Sequence, residues 1–219
     1  MTDSSDYTAN PNYLQDHKRL VRAGYNVIAP DYLAARTTGS ADVNLLERFM
    51  AMLAPGALVL DAGCGAGVPV TRLLQQRFRV IGVDFAETQL RLAKRLVPQA
   101  DYICQDLTAL GFARNSFDAL CSYYAIIHVP REEHEALFRR IYGLLKPGGL
   151  ALLCLGAQDL PSGFEDDYFG SRMHWSHFDA RTNREMLEAA GLQIVWSELV
   201  PDSHPSGGKH LFTLTQKMT

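Results

Sequence analysis

The sequence predicts a single α/β domain built on a doubly wound, mostly parallel β-sheet. From residue 57 onward, short apolar runs rich in β-forming residues alternate with segments whose apolar residues recur at helical spacing. That alternation is typical of βαβ units, in which a helix connects two parallel strands. With 219 residues, 47% hydrophobic and 21% charged, the chain has the size and composition of one globular domain with a full core.

Seven strands and four helices are expected in this region. The strand segments are residues 58–61, 79–84, 101–105, 117–122, 150–156, 192–198 and 209–215. Apolar residues three and four positions apart predict helices around residues 70–74, 90–97, 137–145 and 186–190, each with one apolar stripe. Pro98, Pro147 and Gly191 stand where these helices are expected to end, positions at which such residues are common.

Residues 1–56 are expected to form a helical segment that covers the ligand crevice of the main domain, residues 57–219. An apolar stripe at helical spacing begins at Val43 and ends at Leu53. A short aromatic segment with Tyr25 and Tyr32 precedes that stripe.

Composition and charge exclude several classes of protein. The net charge of -3 provides no electrostatic footprint for binding nucleic acid. The longest apolar run, residues 148–157, is shorter than the roughly 20 residues of a membrane span, and the first ten residues are polar. The four cysteines lack CxxC spacing, and no residue cluster predicts a metal site. We therefore expect a cytoplasmic protein with reduced cysteines and no nucleic-acid or membrane partner, while its oligomeric state stays open.

The strongest local signal is the segment Asp61-Ala62-Gly63-Cys64-Gly65-Ala66-Gly67, between the first strand and the helix that follows. Gly63, Gly65 and Gly67 allow the backbone to turn sharply and to approach a ligand closely, because no Cβ intervenes. A tight turn without a ligand would have the same composition. The strands that follow favour the binding interpretation.

Carboxylates also end the second and third strands. Asp84 stands 23 positions after Asp61 and could accept hydrogen bonds from both hydroxyls of a ribose. Asp106, followed by the apolar Leu107, could hold an adenine amino group and one ring face. Each aspartate could instead only cap a helix or loop. Ligands of open α/β sheets bind beyond the carboxyl ends of the strands, so the combined pattern predicts a nucleoside cofactor.

These motifs resemble those of class I S-adenosylmethionine-dependent methyltransferases, of the small-molecule group related to ubiquinone and menaquinone biosynthesis. The resemblance runs from about residue 57 to residue 156. Besides the glycine segment, it rests on Gln105-Asp106-Leu107, Phe117-Asp118 and Leu144-Leu145-Lys146-Pro147-Gly148-Gly149. It implies a seven-stranded sheet of order 3-2-1-4-5-7-6 with the last strand antiparallel.

The resemblance further implies an S-adenosylmethionine site in which the methionine part of the cofactor lies over the glycine loop. The cofactor-binding residues that it implies are Tyr25, Tyr32, Asp61, Gly63, Gly65, Gly67, Asp84, Phe85, Asp106, Leu107 and Tyr123. The implied reaction is methyl transfer to a small-molecule acceptor by in-line displacement, with S-adenosylhomocysteine as the product. Ser122-Tyr123-Tyr124-Ala125 replaces the Asn/Asp-Pro-Pro-aromatic motif of nucleic-acid and protein amino-group methyltransferases, which argues against a nucleic-acid base as the acceptor.

An aromatic and histidine-rich segment, residues 168–178, is expected to contribute the acceptor pocket. Tyr168, His174, Trp175 and His177 are its candidate substrate-binding residues, since apolar walls with few polar groups suit small molecules. His128, just beyond the fourth strand, is the candidate general base. Each histidine could instead have only a structural or surface role.

Two other functions are compatible with parts of this pattern. A nicotinamide-dependent oxidoreductase also has a glycine loop and a distal acid, but Val68 stands where its third glycine, counted from Gly63, would be. A catalytically silent S-adenosylmethionine-binding subunit would share the binding residues. The sequence does not identify the acceptor or its accepting atom.

Overall fold

A seven-stranded sheet organises the computed structural model, which describes residues 11–35, 41–201 and 208–218. Residues 1–10 and 36–40 of the expected N-terminal segment lie outside these ranges. The helices are α1 (Tyr13–Ala35), α2 (Ala41–Met50), α3 (Val70–Leu74), α4 (Glu87–Leu96), α5 (His134–Leu144) and α6 (Ala180–Ala189). The strands are β1 (Leu58–Ala62), β2 (Arg79–Asp84), β3 (Asp101–Cys104), β4 (Phe117–Ser122), β5 (Leu145–Gly156), β6 (Leu160–Tyr168), β7 (Ser171–His177), β8 (Leu192–Pro201) and β9 (Lys209–Lys217).

The order of the strands in the sheet is β3-β2-β1-β4-β5-β9-β8. Strands β1 to β5 pair in parallel, and β9 lies antiparallel to both β5 and β8. When the separate β6–β7 hairpin is left out, this is the expected order 3-2-1-4-5-7-6, so the prediction of fold class is confirmed. The order reverses between β1 and β4, where open α/β sheets have their ligand crevice.

Both faces of the sheet are buried. Val59 and Leu60 are neighbours on β1, and both are fully buried, but they belong to two separate hydrophobic clusters on opposite faces. Phe49 of α2 belongs to one cluster and Phe138 of α5 to the other. Burial on both faces is the usual state of a parallel sheet, which explains the nearly continuous apolar runs in its strands.

Two parts of the fold differ from the expectation. Residues 160–177 form the β6–β7 hairpin, which pairs only with itself and contains the acidic run Glu165, Asp166 and Asp167. The expected aromatic segment around Tyr25 is part of the 23-residue helix α1. Neither was evident from the sequence, because the hairpin lacks regular apolar alternation and α1 contains Gly24 and Pro30, residues that disfavour helices.

Helix α1 packs closely against the hairpin. A Cβ added at Gly24 would lie 2.9 Å from Cε of Met173 in β7, so the glycine permits this approach. Val21, Ile28 and Met173 are fully buried there and form a third small hydrophobic cluster. Of the helices in the described ranges, none is long and apolar enough to cross a membrane.

Candidate functional site

A cavity at the carboxyl ends of β1, β2 and β4 contains about 990 Å³ of space, counting the solvent at its mouth. We divide the residues that line it into two groups. The first group, which we call the strand-end wall, consists of Asp61, Gly63, Gly65, Asp84, Phe85, Gln89, Asp106 and Leu107. The second group, which we call the aromatic wall, consists of Tyr25, Tyr32, Leu33, Tyr123, Tyr124 and His128.

The glycine loop is held in a conformation that places backbone at the cavity. The φ angles of Gly63 and Gly65 are 82° and 52°, in the left-handed region that favours glycine. A Cβ at Gly63 would lie 2.2 Å from Cβ of Ala125, so this position permits close packing of two loops. A Cβ at Gly65 would come within 4 Å of one neighbouring protein atom, Oε1 of Gln89 at 3.7 Å, so the remaining space there is open for a ligand.

Asp84 connects the second strand end to this loop. Its Oδ2 accepts from the Gly65 amide at 3.0 Å, and its Oδ1 accepts from the Ala86 amide at 2.9 Å. Each carboxylate oxygen keeps a second lone pair, so both can also accept from ligand hydroxyls. Burial raises the pKa of Asp84 to about 6. Ala86, and not Asp84, occupies the N-cap position of α4, which weakens the alternative that Asp84 is only a cap.

Asp61 is buried at the end of β1. It accepts from Oγ1 of Thr71 at 2.6 Å and from Sγ of Cys121 at 3.7 Å, so it connects β1 to α3 and β4. Burial raises its pKa to about 6, while the hydrogen bonds from Thr71 and Cys121 oppose that shift. Asp61 therefore both joins elements of the fold and lines the cavity.

Asp106 also has structural contacts as well as a place at the cavity. Its Oδ1 accepts from the backbone amide and the hydroxyl of Thr108, at 2.8 and 3.0 Å, and caps a turn of 3-10 helix. Its Oδ2 lies 3.1 Å from Nζ of Lys18 on α1. Lys18 also pairs with Glu133 at 2.7 Å, so this lysine joins α1 to two loops.

Gln89 is a cavity residue that the sequence analysis missed. It is 1% exposed, and neither its Nε2 nor its Oε1 has a hydrogen-bond partner within the described part of the chain. Leaving such an amide unpaired costs free energy, so a ligand group is the expected partner. Gln89 is four residues before Ala93, so both lie on the buried face of α4. A polar residue on the apolar face of a helix is the sequence signal that could have indicated Gln89.

His128 is fixed at three atoms in the aromatic wall. Its Nδ1 lies 2.8 Å from the His174 carbonyl oxygen, and its own carbonyl accepts from Nε2 of His17 at 2.7 Å. Because a carbonyl can only accept, Nδ1 carries the proton and Nε2 of the neutral ring has a lone pair. The Tyr25 hydroxyl donates to that Nε2 at 2.9 Å. Burial lowers the pKa of His128 to about 3, so the ring is neutral at physiological pH.

The structure brings most of the expected cofactor residues to the cavity. The expected residues that line it are Tyr25, Tyr32, Asp61, Gly63, Gly65, Asp84, Phe85, Asp106, Leu107, Tyr123 and His128. Gly67 lies behind the loop, where an added Cβ would meet the Tyr102 hydroxyl at 3.2 Å. Tyr123 donates its hydroxyl to the Asp42 carbonyl at 3.1 Å, so it also anchors α2.

The four expected substrate-binding residues lie in or next to the β6–β7 hairpin, outside the set of described residues that line the cavity. The Trp175 ring packs against His128 at 5.3 Å and against Tyr168 at 5.1 Å. His174 stacks on Phe164 at 4.1 Å, and Nδ1 of His177 donates to the Gln158 carbonyl at 2.8 Å. The Trp175 ring and the His174 carbonyl therefore contact His128 directly, and contact of the four residues with a substrate stays a prediction.

The strand order, the glycine loop and the carboxylates at successive strand ends together define a class I methyltransferase fold. A family model described as a methyltransferase domain matches residues 59–149. Residues 59–149 therefore match a methyltransferase domain, in agreement with the resemblance to class I S-adenosylmethionine-dependent methyltransferases.

Individual relatives agree with this assignment. Phosphoethanolamine N-methyltransferase 1 of Arabidopsis thaliana is 30% identical over 153 residues, 67% of this chain and 30% of that protein. Demethylmenaquinone methyltransferase of Renibacterium salmoninarum is 35% identical over 95 residues, 43% of this chain and 39% of that protein. The chain spans less than half the length of these curated relatives.

A solved structure shares the fold over most of the chain. The 1,6-didemethyltoxoflavin-N1-methyltransferase of Burkholderia thailandensis, with bound 1,6-didemethyltoxoflavin and S-adenosylhomocysteine, has a TM-score of 0.72 and 22% identity. The match covers 94% of this chain and 91% of that one. At this identity, the match shows the fold alone.

Proposed function

We propose that this protein transfers the methyl group of S-adenosylmethionine to a small-molecule acceptor. The observation that carries the proposal is one cavity with two different walls: a strand-end wall with hydrogen-bonding groups for a nucleoside, and an aromatic wall around a fixed histidine. Methyltransferases of phosphoethanolamine, demethylmenaquinone and 1,6-didemethyltoxoflavin, all small molecules, are among the similar proteins.

The strand-end wall fits the cofactor. Asp84 offers lone pairs to two ribose hydroxyls, and the open side of Gly65 leaves space for the ligand beside it. The unpaired amide of Gln89 offers both a donor and an acceptor in the same region. Asp106 and Leu107 provide a polar edge and an apolar face for a base. When bound, the cofactor supplies an activated methyl group on a sulfonium.

The residues of this chain would then position the acceptor and exclude water. Helix α1 contributes Tyr25, Tyr32 and Leu33 to the cavity and thereby covers it. The Nε2 lone pair of His128 accepts from the Tyr25 hydroxyl, and the ring is fixed on three sides. His128 is therefore placed to take a proton from the acceptor through that hydroxyl, or directly once the acceptor has displaced it. We further propose that the protein has no nucleic-acid partner, which its net charge of -3 supports. We also place the protein in the cytoplasm.

Calorimetry followed by an acceptor screen tests the proposal. We expect the protein to bind S-adenosylmethionine and S-adenosylhomocysteine but not NAD, and to release S-adenosylhomocysteine when a suitable small acceptor is added. Binding of NAD in place of the sulfonium cofactor would support the oxidoreductase alternative. Cofactor binding with no methylation of any acceptor, together with a stable complex with another protein, would support the silent subunit.

A further inference from the structure

The aromatic wall is uncharged. Within the described ranges, the charged side chains at the cavity are Lys18, Asp61, Asp84 and Asp106. The three carboxylates belong to the strand ends. Lys18 is already neutralised, because its Nζ contacts Asp106 at 3.1 Å and Glu133 at 2.7 Å. A charged group on an acceptor would therefore lose its hydration against the aromatic wall without finding a counter-charge there.

We propose that the acceptor is an uncharged, flat and largely apolar molecule whose accepting atom is a hydroxyl oxygen or a ring N–H nitrogen. This inference rests on the proposed function and names the substrate class of the same site. Its basis is the juxtaposition of tyrosine rings and an aliphatic side chain around the hydrogen-bonded pair of Tyr25 and His128. Flat rings pack well against aromatic side chains, and one polar pair is sufficient to orient them.

The balance of charge in the reaction favours a neutral acceptor. The acceptor atom forms a bond to the methyl carbon while the bond from that carbon to sulfur breaks, and the bonding electrons stay on sulfur. The proton of the acceptor passes to Nε2 of His128, through the Tyr25 hydroxyl or directly once the acceptor has displaced it. Positive charge thus moves from sulfur to the histidine, and the net charge of the cavity is unchanged until that proton leaves for solvent. A protonated amine would instead add a second positive charge beside the sulfonium and would have no lone pair for the methyl group.

The available space agrees with an acceptor of modest size. The cavity contains about 990 Å³, and the cofactor and the acceptor must share it. Because part of that space is open solvent at the mouth, a small fused ring system fits beside the cofactor better than a long or strongly branched molecule.

Three ligands with the same naphthol ring test the inference on the full-length protein saturated with S-adenosylhomocysteine. They are 2-naphthol, its anionic analogue 6-hydroxy-2-naphthoate and its cationic analogue 6-aminomethyl-2-naphthol, with binding measured by calorimetry. We expect 2-naphthol to bind at least about tenfold more tightly than either charged analogue, because neither finds a counter-charge. Equal or tighter binding of a charged analogue would overturn the inference, and so would the absence of binding by all three.

The same titration separates this inference from the proposed function, because binding of S-adenosylhomocysteine is measured first. If that ligand does not bind, the proposed function fails and the inference fails with it. If it binds but the neutral ring is not preferred, only the inference fails.

Adding a charge to the aromatic wall provides a second test. Leu33 lines the cavity near the end of α1, so L33K should increase the affinity for 6-hydroxy-2-naphthoate by about tenfold. V27K is the matched control, because Val27 is on the same helix but is 66% exposed and lies outside the cavity lining. An equal gain in both variants, or no gain in L33K, would contradict the assignment of Leu33 to the acceptor side.

Discussion

The two walls of the cavity differ in how the chain builds them. In the strand-end wall, Asp84 and the Gly65 amide that it binds are 19 residues apart and belong to one βαβ unit. In the aromatic wall, Tyr25 and His128 are 103 residues apart and meet only because α1 folds over the sheet. The strand-end wall is therefore a local property of the fold, and the aromatic wall is a product of long-range packing. We expect changes in the strand-end wall to alter cofactor affinity and changes at His128 to alter turnover.

The largest expected effect is on turnover, at His128. H128N should reduce kcat by about 100-fold or more while cofactor affinity stays close to that of the parent protein, because proton transfer is lost and the strand-end wall is intact. Y25F should have a smaller effect in the same direction, since it removes only the hydroxyl that donates to Nε2. Parallel measurement of kcat and cofactor Kd checks the separation. A weaker cofactor Kd at an unchanged kcat in H128N would reverse the assignment of the two walls.

The next effect is on cofactor affinity, at Gly65. G65A should weaken binding by about 100-fold, or about 2.7 kcal/mol, because the methyl group occupies space meant for the ligand. G56A is the matched control: Gly56 also has a positive φ, 74°, and an added Cβ there meets nothing within 4 Å. The control corrects for backbone strain. If both variants bind S-adenosylmethionine equally well, the open side of Gly65 does not face the cofactor.

Replacing Asp84 should weaken the cofactor somewhat less. D84N should raise Kd by about tenfold, or about 1.4 kcal/mol. This is slightly less than the roughly 1.5 to 3 kcal/mol of hydrogen bonds to a charged group, because the amide oxygen of asparagine can still accept. The pH dependence supplies a second measurement. Because the pKa of Asp84 is raised to about 6, the parent protein should lose affinity as the pH falls below 6, and D84N should show a flatter profile. Identical pH profiles in the two proteins would show that this carboxylate does not contact the cofactor.

Gln89 should have a smaller effect on the same affinity. Q89L keeps the volume of the side chain but removes both of its polar atoms, which lack protein partners in the described chain. We expect the free protein to become more stable and the cofactor to bind about five- to tenfold more weakly, the value of one hydrogen bond. Thermal unfolding with and without S-adenosylhomocysteine measures both effects. A stabilised protein that binds the cofactor undiminished would make Gln89 a purely internal residue.

The smallest effect should be on stability in acid. His17, His128 and His134 have pKa values lowered to about 3 to 4 by burial, so the unfolded chain takes up more protons than the folded one below the usual value of 6.5. The free energy of unfolding should therefore decrease as the pH falls from 7 to 5.5, by about 1 kcal/mol for each of these histidines, and the net change in Tm should be a few degrees. The raised pKa values of Asp61 and Asp84 act in the opposite direction but concern fewer groups.

H17Q tests how much of this sensitivity belongs to His17, which donates to the carbonyl of His128 in the aromatic wall. The amide of glutamine can still donate to the His128 carbonyl, as His17 does, but it does not titrate. We expect a shallower dependence of Tm on pH in this variant. A slope as steep as that of the parent protein would assign the acid sensitivity to other groups.

The sequence determined the sheet and the strand-end wall. Alternation of strands and helices, the three glycines and the carboxylates after three strands predicted the fold and placed Asp61, Asp84 and Asp106 at one cavity, and the structure confirms the fold class. This was possible because the carboxyl ends of parallel strands meet at one edge of a sheet, so residues in known register come together without further information.

Only the tertiary structure decided the aromatic wall. No periodicity predicts that Tyr25 donates to His128, that the hairpin contacts this histidine, or that Gln89 faces the cavity without a partner. These contacts depend on how α1 and the β6–β7 hairpin dock on the sheet. Docking is set by the close fit of Gly24 to Met173 and by ion pairs such as Lys18 to Asp106. Such fits depend on the shapes of distant surfaces, and the local sequence pattern carries no record of them.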